Sequence, residues 1–456
     1  MPLKETVIDY LDEFSRFAAE LDFARLPPEV QDQARWILAD TIAAIAAGSA
    51  EPEIRALAAR QDEHGEACLV GLGRGASADR AALINGSAGT FLEMDEGNRF
   101  ARGHPAIHVI PAALALCEAR GANSGQFLSA LVTGYEVGSR IGSASRLRDS
   151  MHPHGTWGTV GAAAACARIA GLDGPAMREL LNIASSLTTA SSKQTMLQGG
   201  LVRNVYAGLS NRNGLLALQL AECGFSGERD GLASVFGTII SESFDIGALL
   251  RGLGSEWQLM QNYFKLHSCC RYNHGTLDAL DAIDARGELP EPGEIEHIQV
   301  DSYDMAAELD NKHPRNTLAA RFSVPFAVAT RLVNGNSGLA SFGWAAVRNP
   351  AVLALAQRVE VREDPAMTRR LPQERPAKVV IRLRSGTTVQ GVVGVNRGDD
   401  ASAYSREELR HKFMELTGRV WMPAHCESLL EATLALGVKQ DSFVQWSRLL
   451  RHPPSA

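Results

Sequence analysis

Apolar residues recur at intervals of three and four through most of the first 265 or so positions, the spacing that gathers them on one face of a helix. Residues 4–21 and 28–48 show it first, and the second run opens at Pro27-Pro28 and closes at Gly48, matching helix start and stop signals. Ala-rich stretches at 101–119, 124–143, 158–171 and 212–224 continue the pattern, so few strands are expected in this half. From about residue 290 the period shortens to two. IEHIQVDSYDM and PAKVVIRLRSGTTVQGVVGV alternate apolar and polar residues, and Ser385-Gly386 falls where a hairpin turn belongs. Helical spacing returns after Arg397 in SREELRHKFMELTGR, CESLLEATLALG and QDSFVQWSRLLR. The pattern predicts a mainly α protein with a smaller α+β domain: a large all-helical domain from residues 1–268 and 398–456, with residues 269–397 inserted as the small domain.

At 456 residues the chain exceeds one usual core, which agrees with two domains. A hydrophobic share of 45% is ordinary for a globular protein, and a net charge of −7 gives no reason to expect nucleic acid. The opening MPLKETVIDYLDEFSRFAAEL is amphipathic and carries acids, unlike a secretory signal or transit peptide. No run approaches the roughly 20 apolar residues of a membrane span, so a cytoplasmic protein without membrane attachment is expected. The seven cysteines are scattered, with no CxxC pattern. An iron–sulfur cluster, one way to dehydrate a citrate-like molecule, lacks its spaced thiolates here, and Cys269-Cys270 reads as packing. GLGRG at 71–75 lacks the spacing of a dinucleotide fingerprint, and no phosphate loop occurs. No cofactor and no metal are expected.

Against this acidic background, basic and imidazole side chains cluster in particular turns. In FLEMDEGNRFARGHPAIHVIPAALALCEA (91–119), Asp95, Arg99, Arg102 and His104 crowd a loop punctuated by Gly97, Gly103 and Pro105, just ahead of an apolar helix. MHPHGTWGTVGAAAACARIAGL (151–172) places two histidines before a Gly/Thr turn, with Thr156 or Thr159 as helix N-cap. LVRNVYAGLSNRNGLLALQLAECGFSG (201–227) and KLHSCCRYNHGTLD (265–278) repeat the arrangement: cations or imidazoles at the entry to a helix, where its positive end also favours a carboxylate. His108, on the apolar helix, reads as a packed histidine.

These four segments, together with NGSAGTFLEMDE, GYEVGSRIG and ARFSVPFAVATRLVNG, resemble in order the MmgE/PrpD family, whose members include dehydratases, decarboxylases and epimerases of small polycarboxylic acids. The resemblance implies a helical domain plus a smaller lid domain, usually as a homodimer, with the site in the gap between them. It assigns Asp95 and His104 to the family's Asp and His-Pro positions, and counting back nine residues from Gly161 selects His152 as the second histidine. His154 then stands where the family often has Thr, and Thr156 keeps a hydroxyl position suited to a substrate oxygen. Arg203 replaces a family lysine and Tyr206 a family histidine. Lys265 and Arg271 match carboxylate-binding positions, with Arg99 as a further cation, and His274 matches an acid–base position. Phe326 replaces a tyrosine found in some members, which argues against close identity with the decarboxylases.

A proton beside a carboxylate is weakly acidic, so its removal needs a placed base and cations that stabilise the developing enolate-like charge. Two imidazoles titrating near neutrality serve proton transfer on both sides of a substrate. The expectation is a cofactor-independent hydro-lyase acting on a small di- or tricarboxylate. The alternative is an epimerase or isomerase of a substituted succinate, followed by a decarboxylase and by a scaffold that binds without catalysis. A metal-dependent variant built on His104, His152, His154 and Asp95 is the least favoured, because no helix-borne acid accompanies the histidine pairs as in known ligand sets.

Overall fold

The computed structural model describes residues 9–60, 65–438 and 442–455. It is mainly helical with small sheets, as the periodicity predicts. Most helix bounds lie close to the pattern: Tyr10–Glu20, Pro28–Ser49, Ser124–Ala144, Trp157–Ala170 and Tyr206–Glu222 in the first half, then Arg406–Thr417, Pro423–Leu434 and Ser442–Leu450 at the end. Residues 4–8, and Gln440 and Asp441, from the predicted helices lie outside the described residues. The 101–119 stretch is not one helix. Ala106–His108 forms a single 3-10 turn and the α-helix Ile110–Arg120 starts later, because Pro111 is best placed at a helix entry. Gly48 does not stop its helix either. It sits inside the last turn, where a Cβ would strike the backbone of Ala88 on the helix Ala78–Thr90, so its role is close approach.

The apolar residues form two cores. One joins the helices up to Phe264 with the C-terminal helices from Tyr404 to Leu450. The other runs from Cys269 to Ile381, with Met196 added from the first half. In this second core a four-stranded sheet has the order Thr388–Val393, Ala377–Leu383, Ile295–Ser302, Val359–Glu363. The predicted hairpin pairs Ala377–Leu383 with Thr388–Val393, turning at Gly386 with φ +87°. The strand Val359–Glu363 was not foreseen; it is short, half-exposed and pairs in parallel with Ile295–Ser302 through a helical crossover. GLGRG makes the tight connection between the strands Ala67–Leu69 and Arg74–Ala76. Among the described residues no helix is long and apolar enough to cross a membrane.

The ends of the chain meet at a buried ion pair. Lys412, on the helix Arg406–Thr417, places Nζ 2.5 Å from Asp40 Oδ1 on the helix Pro28–Ser49 and donates to the Met94 carbonyl at 2.7 Å. The other oxygen of Asp40 accepts the Glu96 N–H at 2.9 Å. Lys412→Met leaves a buried carboxylate and a carbonyl without their cation, and is expected to lower stability in urea denaturation by about 3–5 kcal/mol. The double variant Lys412→Met/Asp40→Asn should recover part of that loss, whereas a surface pair would show almost none.

Candidate active site

The helix Ala78–Thr90 runs into a loop that reverses on itself. Glu93 and Arg102 are the non-glycine residues with positive φ, +54° and +55°, and both line the same cavity. Each such residue costs about 1 kcal/mol, so the surroundings must hold it there. Asn98 does much of that: its side-chain oxygen accepts the N–H groups of Phe100 and Ala101, and its amide donates to the Gln258 carbonyl. Gly97-Asn98 pairs antiparallel with Asn262-Tyr263, which brings the fourth sequence segment against the first. Gly103 precedes the histidine because a Cβ there would come within 2.5 Å of the Trp157 ring.

This loop aims His104. Its Nδ1 lies 2.7 Å from the Glu96 carbonyl oxygen and 3.1 Å from Asp95 Oδ2. Both partners accept, so in the neutral ring the proton sits on Nδ1 and the lone pair is left on Nε2. Burial alone would raise the Asp95 carboxyl, but His104 and Lys265 outweigh it and hold it well below the usual carboxylate range. His152 has the opposite tautomer. Its Nδ1 accepts the His154 backbone N–H at 3.1 Å, so in the neutral ring the hydrogen is on Nε2. His154 stands between them, its ring centroid 4.9 Å from His104, 4.9 Å from His108 and 4.7 Å from His152. Burial, reinforced by Arg203, pushes His152 and His154 well below the ordinary histidine value, so both are neutral at pH 7. The expected pair of imidazoles titrating near neutrality is therefore corrected: His152 is a neutral N–H donor and does not take up a second proton at pH 7. His108 is packed, with Nδ1 on Ser210 Oγ.

The cavity has a volume of about 370 Å³ and lies between the two cores, with His104, His152, His154, Arg203 and Arg271 on its wall. Arg203 is ion-paired with Glu93 and lies 5.2 Å above the Phe322 ring. Arg271 stacks 4.6 Å from the Tyr263 centroid and pairs with Asp399 at 2.8 Å.

The other expected site residues stand behind this wall. Lys265 is fully buried, with Nζ 3.1 Å from the Glu93 carbonyl oxygen, 3.3 Å from Glu93 Oε2 and 3.7 Å from Asp95 Oδ1; it neutralises the loop and does not reach the cavity. His274 accepts from Arg271 Nη1 at 3.0 Å on Nδ1, and its Nε2 lies 3.3 Å from the Cys269 carbonyl oxygen. With both nitrogens engaged it orients Arg271 and is not placed for acid–base work. Thr156 takes the N-cap position, but its hydroxyl donates to the Pro153 carbonyl at 2.5 Å, away from any substrate. Arg99 is held by Asp400 at 2.5 Å and lies over Phe100. Tyr206 packs beside His152 at 5.8 Å without lining the cavity. Phe326 is buried against Phe342, and it is Phe322 that faces the cavity, so the missing tyrosine hydroxyl does not bear on the chemistry there. Cys269 is buried as packing, whereas Cys270 edges the cavity with its thiol pushed up to about 11 by burial and Glu93.

Glu93, Tyr263 and Arg375 line the cavity without having been singled out. Glu93 and Tyr263 each lie two residues before a recognised one, which was the available signal; nothing marks Arg375. Among the described residues, the group whose ligand atoms converge as a metal site would require is His267, Asp278 and Asp281, off the cavity wall, and there Asp281 is engaged by Arg331 at 2.8 Å.

The histidine of a histidine–carboxylate dyad and buried guanidiniums thus share one cavity wall. Residues 12–242 match the MmgE/PrpD N-terminal domain and residues 267–436 the MmgE/PrpD C-terminal domain, and the chain belongs to that family. It is 25% identical over 465 residues to a cis-aconitate decarboxylase-like protein, oryM, of Aspergillus oryzae, covering 94% of this chain and 95% of the relative. The cis-aconitate decarboxylase of Aspergillus terreus is 26% identical over 93% of this chain and 92% of its own length. That of Mus musculus is 27% identical over 82% and 78%.

Burial pushes Glu96 up to about 8, against hydrogen bonds from the Ala106 N–H at 2.9 Å and the Tyr135 hydroxyl at 3.0 Å. Between the ordinary glutamate range and pH 8 the folded state therefore binds more protons than the unfolded chain, and this group's contribution to stability falls as pH rises. Glu96→Gln, which keeps an acceptor for Ala106, is expected to remove that slope. Thermal midpoints of variant and original chain should diverge in the variant's favour from pH 5 to pH 8; parallel curves would show Glu96 ionised throughout.

Proposed function

We propose that this chain is a cofactor-independent lyase that forms an enolate-like carbanion beside a carboxylate of a small di- or tricarboxylic acid. The observation that carries this reading is the bare Nε2 of His104, its opposite nitrogen pinned by Asp95 and the Glu96 carbonyl, at a cavity bordered by buried cations. His104 takes the proton from carbon, and Asp95, held ionised, stabilises the imidazolium so formed. Arg203 and Arg271 supply positive charge where the carbanion's electrons move into the carboxylate. His152 donates Nε2–H to an oxygen of the substrate.

Dehydration follows when a β-hydroxyl leaves: the C–H and C–O bonds break, and the His104 imidazolium returns its proton to the departing hydroxide as water. A second reading is favoured by the relatives named as cis-aconitate decarboxylases. There the C–C bond to a carboxylate breaks, CO2 departs, and His104 in its protonated form delivers the proton to carbon. We infer that dehydration fits the bare nitrogen better, and epimerisation would be seen as deuterium uptake from solvent without loss of water.

The two readings differ in the form of His104 that begins the cycle. A dehydratase starts from its neutral imidazole and releases water from a hydroxy acid, whereas a decarboxylase starts from its imidazolium and releases CO2, so the product identifies which reading holds. The assay offers 2-methylcitrate, citrate and cis-aconitate and follows products by mass. His104→Gln should cost about 10²–10⁴ in kcat with the fold intact. Rates unchanged in both His104→Gln and His152→Gln would remove the assignment.

A further inference from the structure

Arg375 is a buried cation at the cavity that forms no ion pair among the described residues. It comes from the segment leading into the strand Ala377–Leu383, is 4% exposed and lines the cavity. Its guanidinium lies 5.7 Å from the Tyr263 centroid and 5.6 Å from the Tyr272 centroid, so two aromatic rings hold it in place. Nη2 donates to the Arg99 carbonyl at a long 3.3 Å, while Nε and Nη1 have no hydrogen-bond partner. Among the described residues no carboxylate lies within ion-pair distance of it. The other buried cations of the site are matched: Arg203 by Glu93, Lys265 by Glu93 and Asp95, and Arg271 by Asp399.

A buried guanidinium with unmet donors is costly, and its planar fork fits the two oxygens of a carboxylate. Tyr263 is the shared neighbour of Arg375, Arg271 and the His104 ring, whose centroid is 6.3 Å away, so fork and base border the same part of the cavity. Substrate bound through Arg375 would thus bring its carbon chain alongside the base.

We propose that Arg375 is a specificity-determining residue that binds a carboxylate of the substrate remote from the carbon deprotonated, and that it sets the preference for molecules with more than one carboxylate. This rests on the reading of the cavity as a polycarboxylate site.

The test uses propane-1,2,3-tricarboxylate, which has neither a hydroxyl to lose nor a double bond, so binding is measured by calorimetry without turnover. Arg375→Gln should weaken binding about 30-fold or more, the loss of a charge-assisted pair. Arg375→Lys should restore part of it, since ammonium keeps the charge but not the two-point geometry. With a substrate that is converted, KM should rise more than kcat falls, which a merely structural role would not produce. Wild-type binding with an unaltered Arg375→Gln affinity overturns the inference alone. Should Arg375→Gln fail to fold, Arg375→Lys decides: reduced affinity supports the assignment and wild-type affinity overturns it. No binding by the wild-type chain overturns the polycarboxylate reading itself.

Discussion

The acidic loop can be buried only because its carboxylates meet cations supplied from far along the chain. Glu93 is matched by Arg203 and Lys265, Asp95 by Lys265 with a hydrogen bond from His104 beside it, and the neighbouring Asp40 by Lys412. Taken singly, each of these charges would be too costly to hold out of water. Together they compensate one another, and the attractions that keep the loop ionised also keep it in one shape. Glu96 is the exception that fits the rule: lacking a cation, it is driven toward its neutral form.

Rigid placement of His104 follows from this. A histidine on an unsupported loop would sample both ring orientations and both tautomers. Here the Glu96 carbonyl and Asp95 converge on one nitrogen, Gly103 lets the backbone pass under Trp157, and Asn98 secures the intervening turn. The left-handed backbone at Glu93 and Arg102 is the local cost of turning the chain tightly enough to present these side chains together. His152 and His154 are governed by the opposite circumstance. Burial disfavours their charged forms, no carboxylate is paired with them and a guanidinium is nearby, so they stay neutral.

Much of the fold could be read from the chain because helix and hairpin signals are local. Pro28 at the start of its helix and Ser385-Gly386 in the turn act within a few residues. The parallel strand Val359–Glu363 could not be read in the same way, since its pairing with Ile295–Ser302 is decided across a helical crossover and its own alternation is brief. At the site, the legible part was residue type. Asp95, His104, His152, Arg203 and Arg271 stand out as ionisable groups in turns ahead of helices. What a sequence does not show is which partner a charge has. Lys265 and Arg99 look like ligand-binding groups, and His274 like an acid–base group, until their partners prove to be Glu93, Asp400 and Arg271. Arg375 was missed for the converse reason: being without a partner is visible only in three dimensions.

The support from Lys412 also bears on the order in which the molecule matures. The loop carrying His104 belongs to the first quarter of the polypeptide, yet one of its struts arrives at position 412 of 456. During synthesis His104 and Asp95 are made well before Lys412 and are incompletely held until it follows. A chain cut before Lys412 thus contains most of the chemical groups around His104 without the brace that fixes them.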